Sequence, residues 1–313
     1  MKACLVFAGA APALGFLLCQ ASLSSPTPAI VQVPLTVIRA HLYVPVALTG
    51  QAKSRWWLVD TGSPWSLVNV DHAKLLVRSV TDIREESKVV AGKDAKVLVD
   101  IRTTVNGHPI GRFDFFEAYL SGMIDGDSAT GGQYGDRFEA GGVLGLNFLA
   151  RYRATLNFRS QRLFFRTTSV AGWTRAEFER QGYTYVPIQL TAVGRIEAIG
   201  TVGASSYSFL IDSGSPETIL QSTIKEAPWL FGPYSGSVYF AVGQRARATS
   251  GRLPGFKLGT QDVSGNVVQF AAIPALRTGF SHPLGGIIGE DLLWAHQAVL
   301  DIGGGALYLK PAS

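Results

Sequence analysis

The sequence has few cysteines and histidines, and these shortages exclude several classes of site. Its 313 residues include two cysteines and five histidines. Both cysteines, Cys4 and Cys19, lie in an apolar N-terminal leader, so the chain beyond it has no disulfide, thiol nucleophile or cysteine-ligated zinc. The histidines show no paired metal-ligand spacing. We therefore expect neither a metal ion nor a cofactor.

Charged residues are also scarce, at 16% of the chain, and the net charge is +5. Lysine and arginine are scattered, and the densest cluster, Arg245, Arg247 and Arg252, is not interleaved with aromatic residues. This pattern does not favour a nucleic-acid partner. The sequence also lacks a Gly-x-Ser-x-Gly motif, a phosphate-binding loop and a dinucleotide fingerprint, which disfavours serine hydrolases and nucleotide-dependent enzymes.

The N-terminal segment differs from the rest of the chain. A stretch reading ACLVFAGAAPALGFLLC carries no charge, and it leads into a possible cleavage site at Cys19-Gln20-Ala21. We interpret residues 1–21 as a secretory signal peptide and 22–36 as a spacer. A retained membrane anchor is the alternative for the leader. The protein is therefore expected to be secreted or periplasmic, or attached to a membrane by this segment alone.

The remainder of the sequence predicts a mainly β protein. Hydrophobic residues make up 47% of the chain, and they occur in many short Val, Leu, Ile and Phe runs separated by Gly, Pro, Asn and Ser. Such runs are typical of strands joined by turns. The length is sufficient for one large domain or for two lobes.

Self-comparison favours two lobes, because the sequence repeats five segments in the same order. The pairs are YVPVAL and YVPIQL, LVDTGSP and LIDSGSP, AGK and SGR, GGVLG and GGIIG, and LNFRSQRLFF and LDIGGGALYL. The repeat predicts two homologous lobes, 37–167 and 183–313, joined by a linker at 168–182. With both copies in one chain, we expect a monomer with an internal two-fold axis.

Short helices are predicted at three places. In the linker, residues 174–181 form a candidate helix that Thr174 caps and Gly182 ends. The other two follow the hydrophobic-hydrophobic-Gly segment of each lobe, at 146–152 and 290–296, where apolar residues recur at helical spacing. The last of these begins with two acidic residues, which suit a helix N-terminus.

Each lobe carries one Asp directly after an apolar run, Asp60 in LVDTGSP and Asp212 in LIDSGSP. In a two-fold arrangement these carboxylates would meet at the interface between the lobes. Two carboxylates in close contact cannot both ionise readily, so they share one proton. The charged member can act as a general base on a water molecule while the protonated member polarises a carbonyl. We therefore predict Asp60 and Asp212 as catalytic residues that add water to an amide.

The same three kinds of residue follow each Asp, and each kind has a predicted task. The hydroxyl directly after the Asp can bond across the two-fold axis, and the glycine lets the backbone come close and donate N–H groups. The serine after the glycine can hydrogen-bond the outer oxygen of the carboxylate. These supporting residues are Thr61, Gly62 and Ser63 in the first lobe and Ser213, Gly214 and Ser215 in the second.

These motifs resemble those of aspartic proteases of the pepsin and retropepsin superfamily. The resemblance also includes Val-Leu-Gly at 143–145 and Ile-Ile-Gly at 287–289, and it extends over roughly 37–310, nearly the whole chain beyond the leader. It implies a bilobal acid-protease fold with two β-barrel-like lobes. It further implies an aspartic endopeptidase, of an exported bacterial kind, that binds an extended peptide or protein substrate between the lobes.

The resemblance also suggests flap hairpins over the cleft, with glycine tips at Gly92 and Gly251 as candidate substrate-binding residues. The sequence departs from the pepsin pattern in having no flap tyrosine near Gly92 and in placing Pro64 and Pro216 after the two serines. The alternative hypothesis is a catalytically silent protein of the cell envelope that keeps the cleft and binds a peptide or glycan there.

Overall fold

A computed structural model describes most of the chain beyond the leader. The residues described are 29–312, apart from 39, 52, 80–82, 91–92, 121–139, 167–172, 225–228, 231–235, 240–244 and 274–278. The predicted leader, residues 22–28 of the predicted spacer and Gly92 thus lie outside the described residues. Among the helices within them, none combines the length and the apolar character needed to span a bilayer.

The part of the chain up to Arg166 is built mainly from short strands. Its helices are α1 (Val70–Ser79) and α2 (Leu146–Arg151). Its strands are β1 (Ile30–Pro34), β2 (Thr36–Ile38), β3 (His41–Leu48), β4 (Arg55–Val59), β5 (Leu67–Asn69), β6 (Arg84–Val90), β7 (Lys93–Val105), β8 (His108–Ala118), β9 (Gly142–Leu144), β10 (Thr155–Asn157) and β11 (Arg162–Arg166).

The part after Arg166 has the same character. Its helices are α3 (Arg175–Arg180) and α4 (Glu290–Ala295). Its strands are β12 (Thr184–Leu190), β13 (Ile196–Val202), β14 (Ser205–Ile211), β15 (Ile219–Gln221), β16 (Trp229–Leu230), β17 (Gly236–Tyr239), β18 (Arg245–Arg252), β19 (Phe256–Leu258), β20 (Gln261–Asp262), β21 (Val268–Ala271), β22 (Leu284–Ile288), β23 (Val299–Asp301) and β24 (Ala306–Leu309).

Strand pairing forms one lobe on each side of a bridging sheet. In the first lobe, β3, β4, β9, β5, β8 and β7 pair in that order, and β7 pairs with β3 to close a barrel. In the second lobe, the order β13, β14, β22, β15, β21 and β18 continues the larger sheet. The mainly β, two-lobed fold expected from the sequence is confirmed. The lobe boundaries at 37–167 and 183–313 stay a prediction.

The bridging sheet contains strands from both lobes, in the order β1, β11, β10, β23, β24 and β12. Its central joint is the antiparallel pair β10 and β23, in which Thr155 faces Asp301. Arg166 at the end of β11 forms a buried ion pair with Asp301, and the Thr155 hydroxyl donates to the same carboxylate at 3.0 Å. Removing one partner of such a buried pair leaves an uncompensated charge, so this joint favours one arrangement of the two lobes.

The strands that precede the two Asp residues are fixed by aromatic packing. Trp57 on β4 is fully buried against Phe115, with ring centroids 5.1 Å apart. Phe209 on β14 is fully buried against Phe256, with centroids 4.9 Å apart. Burying a side chain of this size contributes roughly 1.5–3 kcal/mol. The core therefore holds both strand ends, one in each lobe, in defined positions.

The predicted short helices are present, each within a residue or two of its expected bounds. Helices α2 and α4 directly follow Gly145 and Gly289, as the spacing of apolar residues predicted. Helix α3 begins after Thr174 with a reciprocal capping box, in which Thr174 and Glu177 each bond the other's backbone N–H. Gly182 follows the helix at a φ of +81°, a backbone conformation that favours glycine.

Helix α1 contradicts the expectation of only one short helix in the first lobe. It has ten residues, and its N-terminus is capped by Asn69, whose side-chain oxygen accepts the N–H of Asp71 at 3.2 Å. Val70, Ala73 and Leu76 form its buried face. The signal was present as an Asn before apolar residues at helical spacing, but the neighbouring apolar run indicated a strand.

Replacing Thr174 with Ala is expected to lower the free energy of unfolding by about 1 kcal/mol, because the N-terminal N–H groups of α3 lose their cap. Equilibrium urea unfolding measures this change. Thr174→Ser keeps the capping hydroxyl and is the matched control. Equal losses for Ala and Ser would contradict a capping role.

Candidate active site

Both Asp residues stand at the ends of central strands, and the hydrophobic-hydrophobic-Gly segments hold them there. In the first lobe, β4 and β9 are parallel, and the N–H of Asp60 donates to the carbonyl of Leu144 at 3.1 Å. In the second lobe, β14 and β22 are parallel, and the N–H of Asp212 donates to the carbonyl of Ile288 at 3.0 Å. The repeated motifs therefore build the same local structure twice.

We call residues 60–63 and 212–215 the two corners. Four hydrogen bonds made by Thr61 and Ser213 join one corner to the other. The Thr61 hydroxyl donates to the carbonyl of Ile211 at 2.9 Å and accepts the N–H of Ser213 at 2.9 Å. The Ser213 hydroxyl donates to the carbonyl of Val59 at 2.8 Å and accepts the N–H of Thr61 at 3.1 Å. Both side chains are fully buried. The structure places these hydroxyls across the two-fold axis, where the sequence predicted them.

Backbone N–H groups of the corners surround the two carboxyls, which are close enough for the charge of Asp212 to act on Asp60. Oδ1 of Asp60 accepts from the N–H groups of Gly62 at 2.8 Å and Ser63 at 2.9 Å. Oδ1 of Asp212 accepts from the N–H of Gly214 at 2.8 Å. The acids that the sequence paired therefore lie beside each other, one from each lobe.

The two glycines of the corners are needed for this contact. A Cβ atom on Gly214 would lie 2.5 Å from Cγ of Asp60, and one on Gly62 would overlap the carboxyl of Asp212. Each glycine therefore faces the carboxyl of the opposite lobe. The predicted close approach of the backbone is present at both positions.

Burial raises the pKa of both acids, which favours their protonated forms. For Asp60 the charge of Asp212 is the second cause, and its pKa lies well above the ordinary value. For Asp212 burial raises the pKa, although the N–H of Gly214 and the hydrogen bond from Asp60 oppose it. Two touching carboxyls titrate as a pair and retain one proton between them. The site can thus offer one acid and one base at the same place.

The two serines after the glycines do not have the predicted side-chain role. The hydroxyl of Ser63 donates to the carbonyl of Trp65 at 2.8 Å, and that of Ser215 donates to the carbonyl of Glu217 at 2.7 Å. The prediction that these hydroxyls bond the outer carboxylate oxygens is therefore wrong. Each serine is followed by a proline, and the turn brings the carbonyl two residues further on within reach of the hydroxyl.

The predictions for the two flap tips, Gly92 and Gly251, have different outcomes. Strands β6 and β7 form an antiparallel hairpin that closes with Val90 facing Lys93, and Gly92 lies between them, outside the described residues. Gly251 lies inside β18, where it faces Leu230 on one side and Val268 on the other. The prediction of Gly251 as a hairpin tip is therefore wrong, because a residue paired on both sides is internal to a sheet.

Sequence reasoning missed a third carboxyl near the pair. Glu290, the first residue of α4, is buried, and its Oε1 accepts the N–H of Leu42 from the first lobe at 3.2 Å. Burial raises the pKa of Glu290 to about 9, and the charges of Asp212 and Asp60 add to the effect. The sequence suggested a charged group that stabilises the helix N-terminus, but Glu290 is neutral in the folded protein at neutral pH.

Glu290→Gln is expected to stabilise the protein at neutral and mildly alkaline pH. An unfolded glutamate loses its proton near pH 4.5, whereas the folded one keeps it up to about pH 9. Between these values the unfolded state binds fewer protons, so the free energy of unfolding of the wild type falls by up to about 1.4 kcal/mol per pH unit. The variant lacks this contribution and keeps an oxygen acceptor for Leu42.

Urea unfolding at several values between about pH 5 and about pH 8 tests this expectation. The variant should show a smaller fall in unfolding free energy across that range than the wild type. The control is Glu179→Gln, an exposed position on α3. Parallel pH dependence in wild type and Glu290→Gln would show that Glu290 ionises normally.

No metal site adjoins this geometry in the described part of the chain, where no group of three or more His, Cys, Asp or Glu side chains could hold an ion. The groups described at this site are the carboxyls and the backbone N–H groups around them. Such a site can take a proton from water and give a proton to a carbonyl oxygen.

Solved structures of two other proteins are similar to this chain. The aspartic proteinase from Irpex lacteus is 16% identical, with 91% of this chain and 98% of that chain covered and a TM-score of 0.48. Basic 7S globulin from soybean is 12% identical, with 91% and 95% covered and a TM-score of 0.46. No family profile and no curated protein matches the chain. None of these comparisons identifies an activity for it.

Proposed function

We propose that this protein is an exported aspartic endopeptidase in which Asp60 and Asp212 activate water for hydrolysis of peptide bonds. The observation that carries the proposal is the adjacent carboxyl pair, with one acid from each lobe, each against the glycine of the opposite lobe, and the same backbone support around both. A protein that had kept the two aspartates only for structural reasons would not need both pKa values to be raised. It would also not need two glycines that face the opposite carboxyls. The same contact favours an enzyme over a silent binding protein.

The proposed reaction uses one proton shared by the pair. The charged carboxylate takes a proton from a water molecule, and the resulting hydroxide adds to the carbonyl carbon of the peptide bond. The protonated carboxyl gives its proton to the carbonyl oxygen, which forms a tetrahedral diol. The C–N bond then breaks as the nitrogen receives a proton and a hydroxyl of the diol returns one to the pair. The products are an acid and an amine, and the pair again holds one proton.

The proposed substrate is a peptide or protein segment in extended conformation, bound by the monomer between the two lobes. Strand-like hydrogen bonds to the β6–β7 hairpin would hold it, as in other cases of strand addition. We propose β6–β7 as the flap of the first lobe. Export through the predicted leader would place the activity in the periplasm or outside the cell.

A peptide-library digest with the purified protein tests the proposed function. We expect cleavage that a pepstatin-type inhibitor blocks, with a bell-shaped pH dependence of kcat/KM that reports the two apparent pKa values of the pair. A folded protein that binds peptides but cleaves none from acidic to neutral pH would support the silent binding protein instead. Cleavage that the inhibitor leaves intact would reject the carboxyl mechanism.

A further inference from the structure

Arg195 lies beside the carboxyl pair, and the strand register places it there. Strands β13 and β14 are antiparallel, with Glu197 facing Leu210. Extending this register by two residues sets Arg195 opposite Asp212, and residues in this relation point to the same face of a sheet. The charge of Asp212 acts on the guanidinium of Arg195, in agreement with that placement.

The turn that carries Arg195 also touches the corner of the first lobe. Within the turn, the N–H of Thr191 donates to the carbonyl of Arg195 at 2.7 Å, and the N–H of Arg195 donates to the Thr191 hydroxyl at 3.1 Å. A Cβ atom on Gly194 would lie 3.4 Å from Cβ of Pro64, two residues after Gly62. Arg195 therefore stands where the two lobes meet, next to the reacting groups.

The guanidinium of Arg195 has no acceptor within the described residues, although the side chain is partly buried. The charge of Asp212 acts on this guanidinium, but the two groups are not in ion-pair contact. Burial lowers the pKa of Arg195, with the charge of Asp212 opposing, yet a guanidinium remains charged in proteins. The buried Arg166, by contrast, has a carboxylate partner in Asp301. A cation beside the carboxyl pair that has no acceptor among the described residues suits an anionic ligand.

We propose that Arg195 determines specificity by binding a carboxylate of the peptide substrate close to the scissile bond. The inference rests on the proposed function for the position of the substrate. The carboxylate is that of an Asp or Glu side chain or of a peptide C-terminus, since both offer the two oxygens that a guanidinium binds in a fork. Val193, 45% exposed on the same turn, adds an apolar contact for a neighbouring substrate residue.

The test compares matched peptides that differ in one charge. One pair carries Glu or Gln at each position flanking the scissile bond, and a second pair ends near that bond in a free acid or an amide. In the wild type we expect kcat/KM for one of the acidic peptides to exceed that for its neutral partner by about 10-fold or more. The ratio of kcat/KM for the acidic peptide to kcat/KM for its neutral partner should fall toward one in Arg195→Gln and recover in part in Arg195→Lys. Arg180→Gln, at an exposed position on α3, is the control and should keep the ratio.

Binding to the Asp60→Asn variant, with and without Arg195→Gln, separates this inference from the proposed function. An acidic preference in Kd that disappears with Arg195→Gln supports the carboxylate site even if the wild type cleaves nothing. Cleavage of acidic and neutral partners at equal rates, with equal Kd values, would overturn the inference while upholding the peptidase. A preference that persists in Arg195→Gln would also overturn it. The pair that shows the effect identifies the source of the carboxylate.

Discussion

Replacing either Asp60 or Asp212 with Asn is expected to lower kcat/KM for peptide hydrolysis by about 10³-fold or more, since the pair then lacks the base or the acid. Each Asn keeps an oxygen that can accept the N–H of Gly62 or Gly214, so the corner retains its support. Losses of similar size are expected for the two variants, because the carboxyls work as one unit and effects within a unit do not add. Initial rates on a cleaved library peptide measure the loss.

Stability provides the control for the loss of activity. The pKa of Asp60 is raised in the folded protein, so burying its charged form costs free energy above the ordinary pKa. Asp60→Asn should therefore unfold at the same or a higher urea concentration at neutral pH. Asp71→Asn, at an exposed position in the first turn of α1, should leave activity unchanged and lower the free energy of unfolding by no more than about 1 kcal/mol, since it removes a charge from the helix N-terminus and from the pair with Lys74. Full activity in either site variant would reject the proposed mechanism, and lost activity together with lost folding would reject the assignment of a chemical role.

Thr61→Val is expected to lower the free energy of unfolding by about 2–5 kcal/mol. The substitution leaves the carbonyl of Ile211 and the N–H of Ser213 buried without their partner. Each buried polar group that loses its hydrogen bond costs about 1–3 kcal/mol. The valine has nearly the shape of the threonine, so little of the loss comes from packing. Equilibrium urea unfolding of the purified variant measures it.

Thr103→Val is the matched control for this prediction. Thr103 is also fully buried, but its hydroxyl bonds the carbonyl of Ile101 within its own strand. Thr103→Val removes a hydrogen bond within one strand and none between the lobes. We therefore expect the free energy of unfolding to fall by about 1 kcal/mol. A loss for Thr61→Val no larger than that of the control would mean that the cross-lobe hydrogen bonds contribute little to holding the lobes together.

The carboxyl pair could be predicted from sequence because its signals are local and occur twice. Each Asp follows an apolar strand and precedes a Thr or Ser and a Gly, and the repeat implies a two-fold axis on which the copies meet. The helices after Gly145 and Gly289 were predictable for the same reason. The side chains of Ser63 and Ser215 were not, because the following prolines change which acceptor each hydroxyl reaches.

Two residues near the pair could not be predicted, because their environment depends on distant parts of the chain. The sequence suggests that Glu290 is an exposed acid at a helix N-terminus, whereas in the structure it is buried and bonds Leu42, 248 residues away. Arg195 lies between YVPIQL and LIDSGSP, where the second copy of the repeat is about ten residues longer than the first. The repeat therefore does not align Arg195 with a residue of the first copy. Its place opposite Asp212 follows from the register of β13 and β14, which no local pattern specifies.

The bridging sheet has a consequence for how the two lobes could exist apart. A chain cut between β11 and α3 would leave β10 without β23 and the buried charges of Arg166 and Asp301 on separate fragments. An open strand edge is a template for pairing with another chain. The two fragments would therefore reassemble with each other or associate with copies of themselves. The β10–β23 pairing and the Arg166–Asp301 ion pair therefore hold the lobes together without the peptide link. We expect two separately produced fragments to complement each other.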